Sequence, residues 1–222
     1  MLKKKMLMSW SSGKDSAYAL HKIRQSDEYE VVGLLSTVTE EYDRVAMHAT
    51  RRELLEQQAH RLNLPLYILS IPSPCTNEIY EYRMHLLLEQ AVNQGITHVA
   101  FGDLFLEDIR KYREIKLAMI GMHALFPLWK RDTTLLAHEM IDAGMKAIIT
   151  CVDPKQLDPL FAGRQFDKSL LNDLPVEVDP CGEQGEFHTF VYDGPMFSSA
   201  IPISLGIILE RDNFIFADVL AE

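Results

Sequence analysis

The chain has 222 residues, 47% apolar and 24% charged, the balance of a soluble globular protein built as one large α/β unit or as a domain with a smaller appendage. Its net charge of −10 is unevenly placed: residues 1–131 carry 17 basic and 16 acidic side chains, whereas residues 132–222 carry 5 and 16. That acidic segment argues against strong nucleic-acid binding, no apolar run reaches the ~18–20 residues of a membrane span, and three scattered cysteines (Cys75, Cys151, Cys181) argue against a disulfide framework or a zinc ribbon.

In chain order, Met6–Trp10 reads as a first strand, followed by a polar turn and a helix from about Asp15 to Gln25. The basic start Lys3-Lys4-Lys5 resembles a signal-peptide flank, but Ser9, Ser11 and Ser12 break the apolar run, so a cytoplasmic protein is expected. Val31–Thr37 is a second strand. Thr50-Arg51-Arg52-Glu53 has the form of a capping box, with Leu54, Leu55, Ala59 and Leu62 on one helical face behind it. Leu66–Ile71 is a third strand. The next helix carries Ile79, Tyr82, Leu86, Leu87 and Ala91 on a stripe and stops at Gly95. Thr97–Gly102 is a fourth strand with Asp103 at its carboxyl end, and a helix over about Glu107–His123 follows. Phe126–Trp129 reads as a strand, Asp132 as the cap of a helix ending at Gly144, and Lys146–Val152 as another strand. Beyond Pro154 short strands dominate: His188–Tyr192, Ile203–Arg211 and Phe214–Leu220. The alternation predicts an α/β fold, a parallel sheet flanked by helices with a smaller α+β C-terminal part. The charge break and the change of texture place the seam between residues 1–130 and 131–222. An exposed antiparallel edge near Ile203–Leu220 would allow a homodimer.

The segment Ser11-Ser12-Gly13-Lys14-Asp15-Ser16 lies between the first strand and the first helix. Each residue type suits a nucleotide phosphate. Gly13 allows close backbone approach, and the helix N-terminus favours an anion. Ser11 and Ser16 supply hydroxyls, Lys14 neutralises charge, and Asp15 is a candidate Mg²⁺ ligand. Walker A spacing is missing because Asp15 follows Gly13-Lys14, and there is no GxGxxG.

This segment resembles the SGGxDS motif of the N-type ATP pyrophosphatases, the PP-loop branch of the HUP-type nucleotide-binding proteins. Ser12 stands where glycine is usual, an uncomfortable residue if the loop demands positive φ. Three later segments narrow the resemblance: Gly102-Asp103 with Arg110, Arg113 and Glu114; Pro127-Leu128-Trp129; and Cys181-Gly182-Glu183-Gln184-Gly185-Glu186-Phe187-His188-Thr189. Together they are similar to the ATP-binding family whose best-known member is diphthine–ammonia ligase. The resemblance implies a HUP/Rossmann-like sheet and ATP with Mg²⁺. It also implies an AMP-forming amidoligase that adenylates a small-molecule or protein-borne carboxylate for attack by ammonia from ammonium. With it, Ser11–Ser16, Gly102, Asp103 and Arg113 are the expected nucleotide-binding residues, and the residue types themselves make Lys14, Asp15, Glu183, Glu186 and His188 the catalytic candidates. Of the last three, any could bind ammonium or take its proton, and Glu186 ranks first. His188 stands where a second acidic residue is usual, which resembles a bacterial branch linked in outline to corrinoid salvage, with a different substrate. His188 as a metal ligand, Trp129 as an adenine platform and the other histidines as functional groups are disfavoured. Two further readings share the loop. A tRNA-modifying enzyme is weakened by the absence of paired cysteines and by the acidic half. A nucleotide sensor would bind ATP without turnover.

Overall fold

A computed structural model of the protein describes residues 2–222. The first half forms a mostly parallel sheet of β1 (Lys4–Ser9), β2 (Tyr29–Thr39), β3 (Arg44–Val45), β4 (Leu66–Ile71), β5 (His98–Ala100) and β6 (His123–Leu125). Its core order is β4-β2-β1-β5-β6, all parallel, with short β3 antiparallel to the end of β2. The helices between these strands are α1 (Lys14–Arg24), α2 (Arg52–Leu62), α3 (Asn77–Asn93) and α4 (Glu107–Ala118). The chain winds outward from β1 to β4, then returns to build β5 and β6 on the other side of β1. The carboxyl ends of β1 and β5 therefore flank the crevice where strand order reverses, the usual ligand position in an open α/β sheet.

After α5 (Thr133–Asp142), a second, antiparallel sheet has the order β8-β7-β10-β9. Its strands are β7 (Lys146–Val152), β8 (Phe187–Asp193), β9 (Ile203–Arg211) and β10 (Phe214–Ala221), with the short helix α6 (Lys168–Asp173) between β7 and β8. Strand alternation on β1 explains how the layers meet. Met6 and Met8 enter a core shared with Ala17, Leu20, Ile149 and Val191, so both sheets bury their apolar faces together. Leu7 points the other way, into a second core with Leu35, Val99, Leu88 and Leu117 under α3 and α4. The Asp218 carboxylate on β10, accepting from Arg44 at 2.9 Å and Arg51 at 2.6 Å, ties the second sheet to β3 and to the start of α2. Strand β9 is an edge, with Leu205, Ile207 and Ile208 exposed. Among the described residues no helix is long and apolar enough to cross a membrane.

Several sequence expectations need correction. Thr50 does not cap α2. The cap is Arg51, without a side-chain hydrogen bond, because the Thr50 hydroxyl is taken by Ser12 at 2.8 Å. The apolar stripe on α3 is a core face only at its carboxyl end: Ala91 is buried and Leu87 packs against the core beside Leu88, while Ile79, Tyr82 and Leu86 are exposed. Helix α4 ends at Ala118 rather than near His123, with Gly121 at φ +73° turning the chain into β6. Phe126–Trp129 is a turn closed by Trp129 N–H donating to the Phe126 carbonyl at 3.2 Å, and the strand lies just before it. Pro127 has no N–H for a strand ladder. Asp132 does cap α5, accepting from the Leu135 amide at 2.9 Å.

Position 58 sits inside the predicted apolar face of α2 but is a fully buried glutamine. Its Oε1 accepts from the Trp10 indole at 2.7 Å, and its Nε2 donates to the carbonyls of Ser12 at 3.0 Å and Val191 at 2.6 Å. One amide thus joins β1, the phosphate loop, α2 and β8. Gln58→Leu keeps the volume but strips the indole N–H and two carbonyls of a partner. At about 1–3 kcal/mol for each group left unsatisfied, and with the Ser12 carbonyl still accepting from the Val191 amide, the expected loss is about 2–4 kcal/mol in urea unfolding. A loss below about 1 kcal/mol would contradict this role for Gln58.

Candidate active site

The loop expected to hold phosphate connects β1 to α1 at the crevice. Ser12 has φ +72°, so the position does demand the left-handed conformation that glycine adopts most easily. The serine is held there on both sides. Its carbonyl accepts from Gln58 and from the Val191 amide at 3.0 Å, and its hydroxyl pairs with Thr50. These bonds offset a backbone cost of about 1–3 kcal/mol and explain why a side chain is tolerated. Gly13 caps α1 through its backbone alone, so no side chain occupies the helix's first-turn amides as an N-cap; of these, Lys14 N–H donates to Thr189 Oγ1 at 3.1 Å. Ser16 Oγ donates to the Gly13 carbonyl at 2.9 Å and lies 3.2 Å from Ser11 Oγ.

The loop forms one wall of a cleft of about 1000 Å³, also lined by Asp103, Arg113, Glu183 and His188. Gly102, two residues beyond β5, packs directly against α1: a Cβ there would lie 2.8 Å from the Asp15 carbonyl carbon and the Ser16 nitrogen. Only glycine lets β5 deliver the next residue, Asp103, to the loop. Arg113 Nη1 sits 3.0 Å from Asp103 Oδ2 while its guanidinium covers the Phe101 ring at 4.2 Å. That contact lacks hydrogen-bond geometry, which leaves Asp103 Oδ2 buried without a donor. Burial pushes the Asp103 carboxyl up, with Asp15 adding to the rise and Arg113 opposing it.

Lys14 is buried, and its ammonium is committed inward. It donates to the Cys181 carbonyl and to both Asp15 oxygens at 2.9 and 3.0 Å, between the rings of Phe166 and Phe187. Burial works against this cation, but Asp15, Cys181 and Glu183 outweigh it and hold its pKa above the ordinary lysine value. The lysine therefore also braces the loop against the Cys181–Gly185 segment.

That segment separates the two glutamates singled out from sequence. Glu183 reaches across to the end of β5, where Oε1 accepts from the Leu104 amide at 2.7 Å and, more weakly, from Phe105. Burial, reinforced by Asp15 and Asp103, raises its carboxyl to about 7. Glu186, ranked first from sequence, does not line the cleft: its two oxygens accept from the Asp179 and Gln184 amides at 3.0 and 2.9 Å, closing its own loop. Both carboxylate oxygens are thus taken by backbone amides, charge-assisted bonds that compete well for a carboxylate. Arg110 is also outside the cleft, stacked over Phe126 and Trp129, and Trp129 serves in that packing.

Two residues at the cleft were not singled out from sequence, Thr189 being quoted only as the end of the Cys181–Thr189 segment and His48 being set aside with the other histidines. Thr189 supplies the hydroxyl to the Lys14 amide. His48, on the loop between β3 and α2, packs against the Ser11–Ser16 loop, and its ring lies tilted by 36° against that of His188 with centroids 4.6 Å apart. Its segment carries positive φ at Met47 and Ala49, on either side of the histidine, backbone strain of the kind that gathers at functional sites. Nothing in the period of the surrounding residues marks His48, since it lies in no regular element.

Among the described residues no three His, Cys, Asp or Glu side chains form a metal cage. Mg²⁺ does not need one when phosphate oxygens complete its shell: one or two carboxylates suffice. Asp15 and the donor-free Asp103 Oδ2 fit that requirement, and the loop with its glycine-lined approach fits a polyphosphate.

Residues 4–123 match the diphthamide synthase N-terminal domain family, and residues 132–215 match the diphthamide synthase C-terminal domain family. Among similar proteins, the diphthine–ammonia ligase of Schizosaccharomyces pombe is 27% identical over 229 residues, covering 94% of this chain but 38% of that relative. The diphthine–ammonia ligase of Danio rerio is 27% identical over 234 residues, covering 94% and 90% of the two chains. That of Mus musculus is 26% identical over 239 residues, covering 94% and 86%.

Proposed function

The chain belongs to the diphthamide synthase family, and from that premise we propose that it is an ATP-dependent ligase that forms AMP and pyrophosphate while converting a carboxylate to an amide. Bound ATP supplies an activated phosphorus that turns a carboxylate oxygen into part of a good leaving group. The protein's own contribution is electrostatic and positional. The loop residues Ser11, Gly13 and Ser16 and the N-terminus of α1 receive phosphate oxygens. Asp15 and Asp103 are the residues that would hold Mg²⁺, which would supply positive charge for the phosphates, and Arg113 offers positive charge at the cleft wall. Glu183 binds ammonium and takes its proton, so that neutral ammonia attacks.

The observation that carries this reading is the convergence on the phosphate loop of Glu183 with Asp15 and Asp103, three carboxylates from three separate parts of the chain. Such a cluster beside an anion site accepts both a divalent cation and ammonium. A diphthine-bearing protein is the first acceptor to test, because the relatives above are named for that substrate. His188, where the family usually has an acid, favours a different carboxylate as the second. Incubation with ATP, Mg²⁺, ammonium and acceptor is expected to yield AMP and pyrophosphate in phosphorus NMR. Formation of ADP and phosphate would overturn the reading, and stoichiometric ATP binding without turnover on any acceptor would favour a nucleotide sensor.

A further inference from the structure

His48 and His188 reach the phosphate loop from different elements, one from the strained segment after β3 and one from β8. The His48 ring fills the space over Gly13 so closely that a Cβ there would lie 2.8 Å from its Cε1. His48 Nδ1 is 3.2 Å from the Thr189 carbonyl oxygen, which can only accept, so Nδ1 carries the proton and Nε2 the lone pair. Thr189 also holds the Lys14 amide through its hydroxyl, so one residue positions both the ring and the loop. Both histidines line the cleft together with Ser11, Lys14 and Ser16 of the loop read as the phosphate site.

We propose that the adjoining His48–His188 pair is the pyrophosphate end of the site, taking up one proton as a polyphosphate arrives and donating an imidazolium N–H to the departing oxygens. This rests on the phosphate-loop reading above. In that reaction the acceptor oxygen bonds the α-phosphorus, the bond to the bridging oxygen breaks, and the electron pair stays on pyrophosphate. The pair supplies a positive charge there, and its proton comes from solvent during binding.

The surroundings make the uptake conditional. Burial pushes His48 down to about 3, with His188 and Lys14 adding to the fall, and pushes His188 to about 4, with Lys14 adding. Near neutral pH both rings are uncharged in the protein alone. Of the charges that face them, Lys14 on α1 is paired with Asp15, Arg44 before the His48 segment is bound by Asp218, and Glu183 lies across the same cleft. A phosphate dianion against the rings reverses the balance and raises the pKa of the pair. Two imidazoliums this close repel, so one proton is shared. Because binding raises the pKa, pyrophosphate affinity strengthens as pH falls through the raised value.

The test is calorimetric titration of the intact protein with Mg²⁺-pyrophosphate near pH 6.5 and near pH 8.5, in buffers of different ionisation enthalpy, for the natural protein and His48→Asn. Asparagine keeps the donor to Thr189 and removes the titrating ring, and the comparison cancels protons owed to Glu183 or to the ligand. The natural protein is expected to take up about half to one more proton than the variant at the lower pH. It is also expected to bind about fivefold or more tightly there, with the difference shrinking at the higher pH. Equal proton numbers and equal pH dependence would overturn the proposal. If the variant does not fold, the Cε1–H resonances of the natural protein decide: movement of either ring to its protonated position on adding pyrophosphate supports the pair, and unmoved resonances with saturated binding reject it. Absence of any binding of pyrophosphate or ATP to the natural protein would instead reject the phosphate-loop reading beneath it.

Discussion

Glu183→Gln is expected to lower amide formation by about 10²–10⁴-fold, the range for removing a general base, while ATP affinity changes little. The substituted side chain keeps an oxygen for the Leu104 amide, so the loop should stay in place. What it loses is a carboxylate whose pKa burial lifts to about 7, where it takes a proton from ammonium far better than an ordinary glutamate. The natural enzyme's rate should therefore rise with pH up to about 7 and level above it, and the variant should lack that limb. Stability should move oppositely. The folded carboxyl titrates above its ordinary value of 4.5, so its protonated form stabilises the fold at low pH, and that contribution is lost as pH rises through about 7. Glutamine stays neutral, so the variant should melt higher than the natural protein above neutrality and not near pH 4. A variant with unchanged turnover on ammonium would remove Glu183 from the mechanism.

Lys14→Met is expected to cost about 3 kcal/mol, at the lower end of the range for breaking a buried ion pair because the Asp15 side chain retains 27% of its exposure. Methionine fills the space of the stem between Phe166 and Phe187, so little of the loss is packing. The cost comes from an Asp15 carboxylate without its cation and a Cys181 carbonyl without its donor. Burial already pushes the Asp15 carboxyl up with Lys14 opposing, so without the lysine Asp15 should protonate and its hold on Mg²⁺ should weaken. Chemical unfolding gives the stability change, and Mg²⁺ dependence of ATP binding gives the second effect. A variant within about 1 kcal/mol of the natural protein would show that Lys14 is not a brace.

The parallel architecture and the place of the Ser11–Ser16 loop were legible because their signals are local. Leu66–Ile71, Lys146–Val152 and Ile203–Arg211 form strands with the expected limits, and the loop sits between β1 and α1 as its Ser-Gly composition implies. The fourth strand was expected over Thr97–Gly102 but β5 spans only His98–Ala100, so Asp103 follows it by three residues, in the segment that Gly102 packs against α1. Properties that depend on distant partners were not legible. Glu183 and Glu186 are three residues apart with similar neighbours, and only the fold sends one to the Leu104 amide and the other to Asp179 and Gln184. Thr50 looked like a cap until Ser12 claimed its hydroxyl. The stripe on α3 has core periodicity, yet Tyr82 faces the cleft, because a periodic face shows which side is apolar and not what covers it. His48 lies in an irregular segment, where no periodicity exists to read.

Transfer of oxygen is the most direct test of adenylation. With the acceptor carboxylate labelled with oxygen-18, turnover with ATP, Mg²⁺ and ammonium should place one labelled oxygen on the phosphorus of AMP and none in pyrophosphate. AMP free of label, or label in inorganic phosphate, would contradict the account.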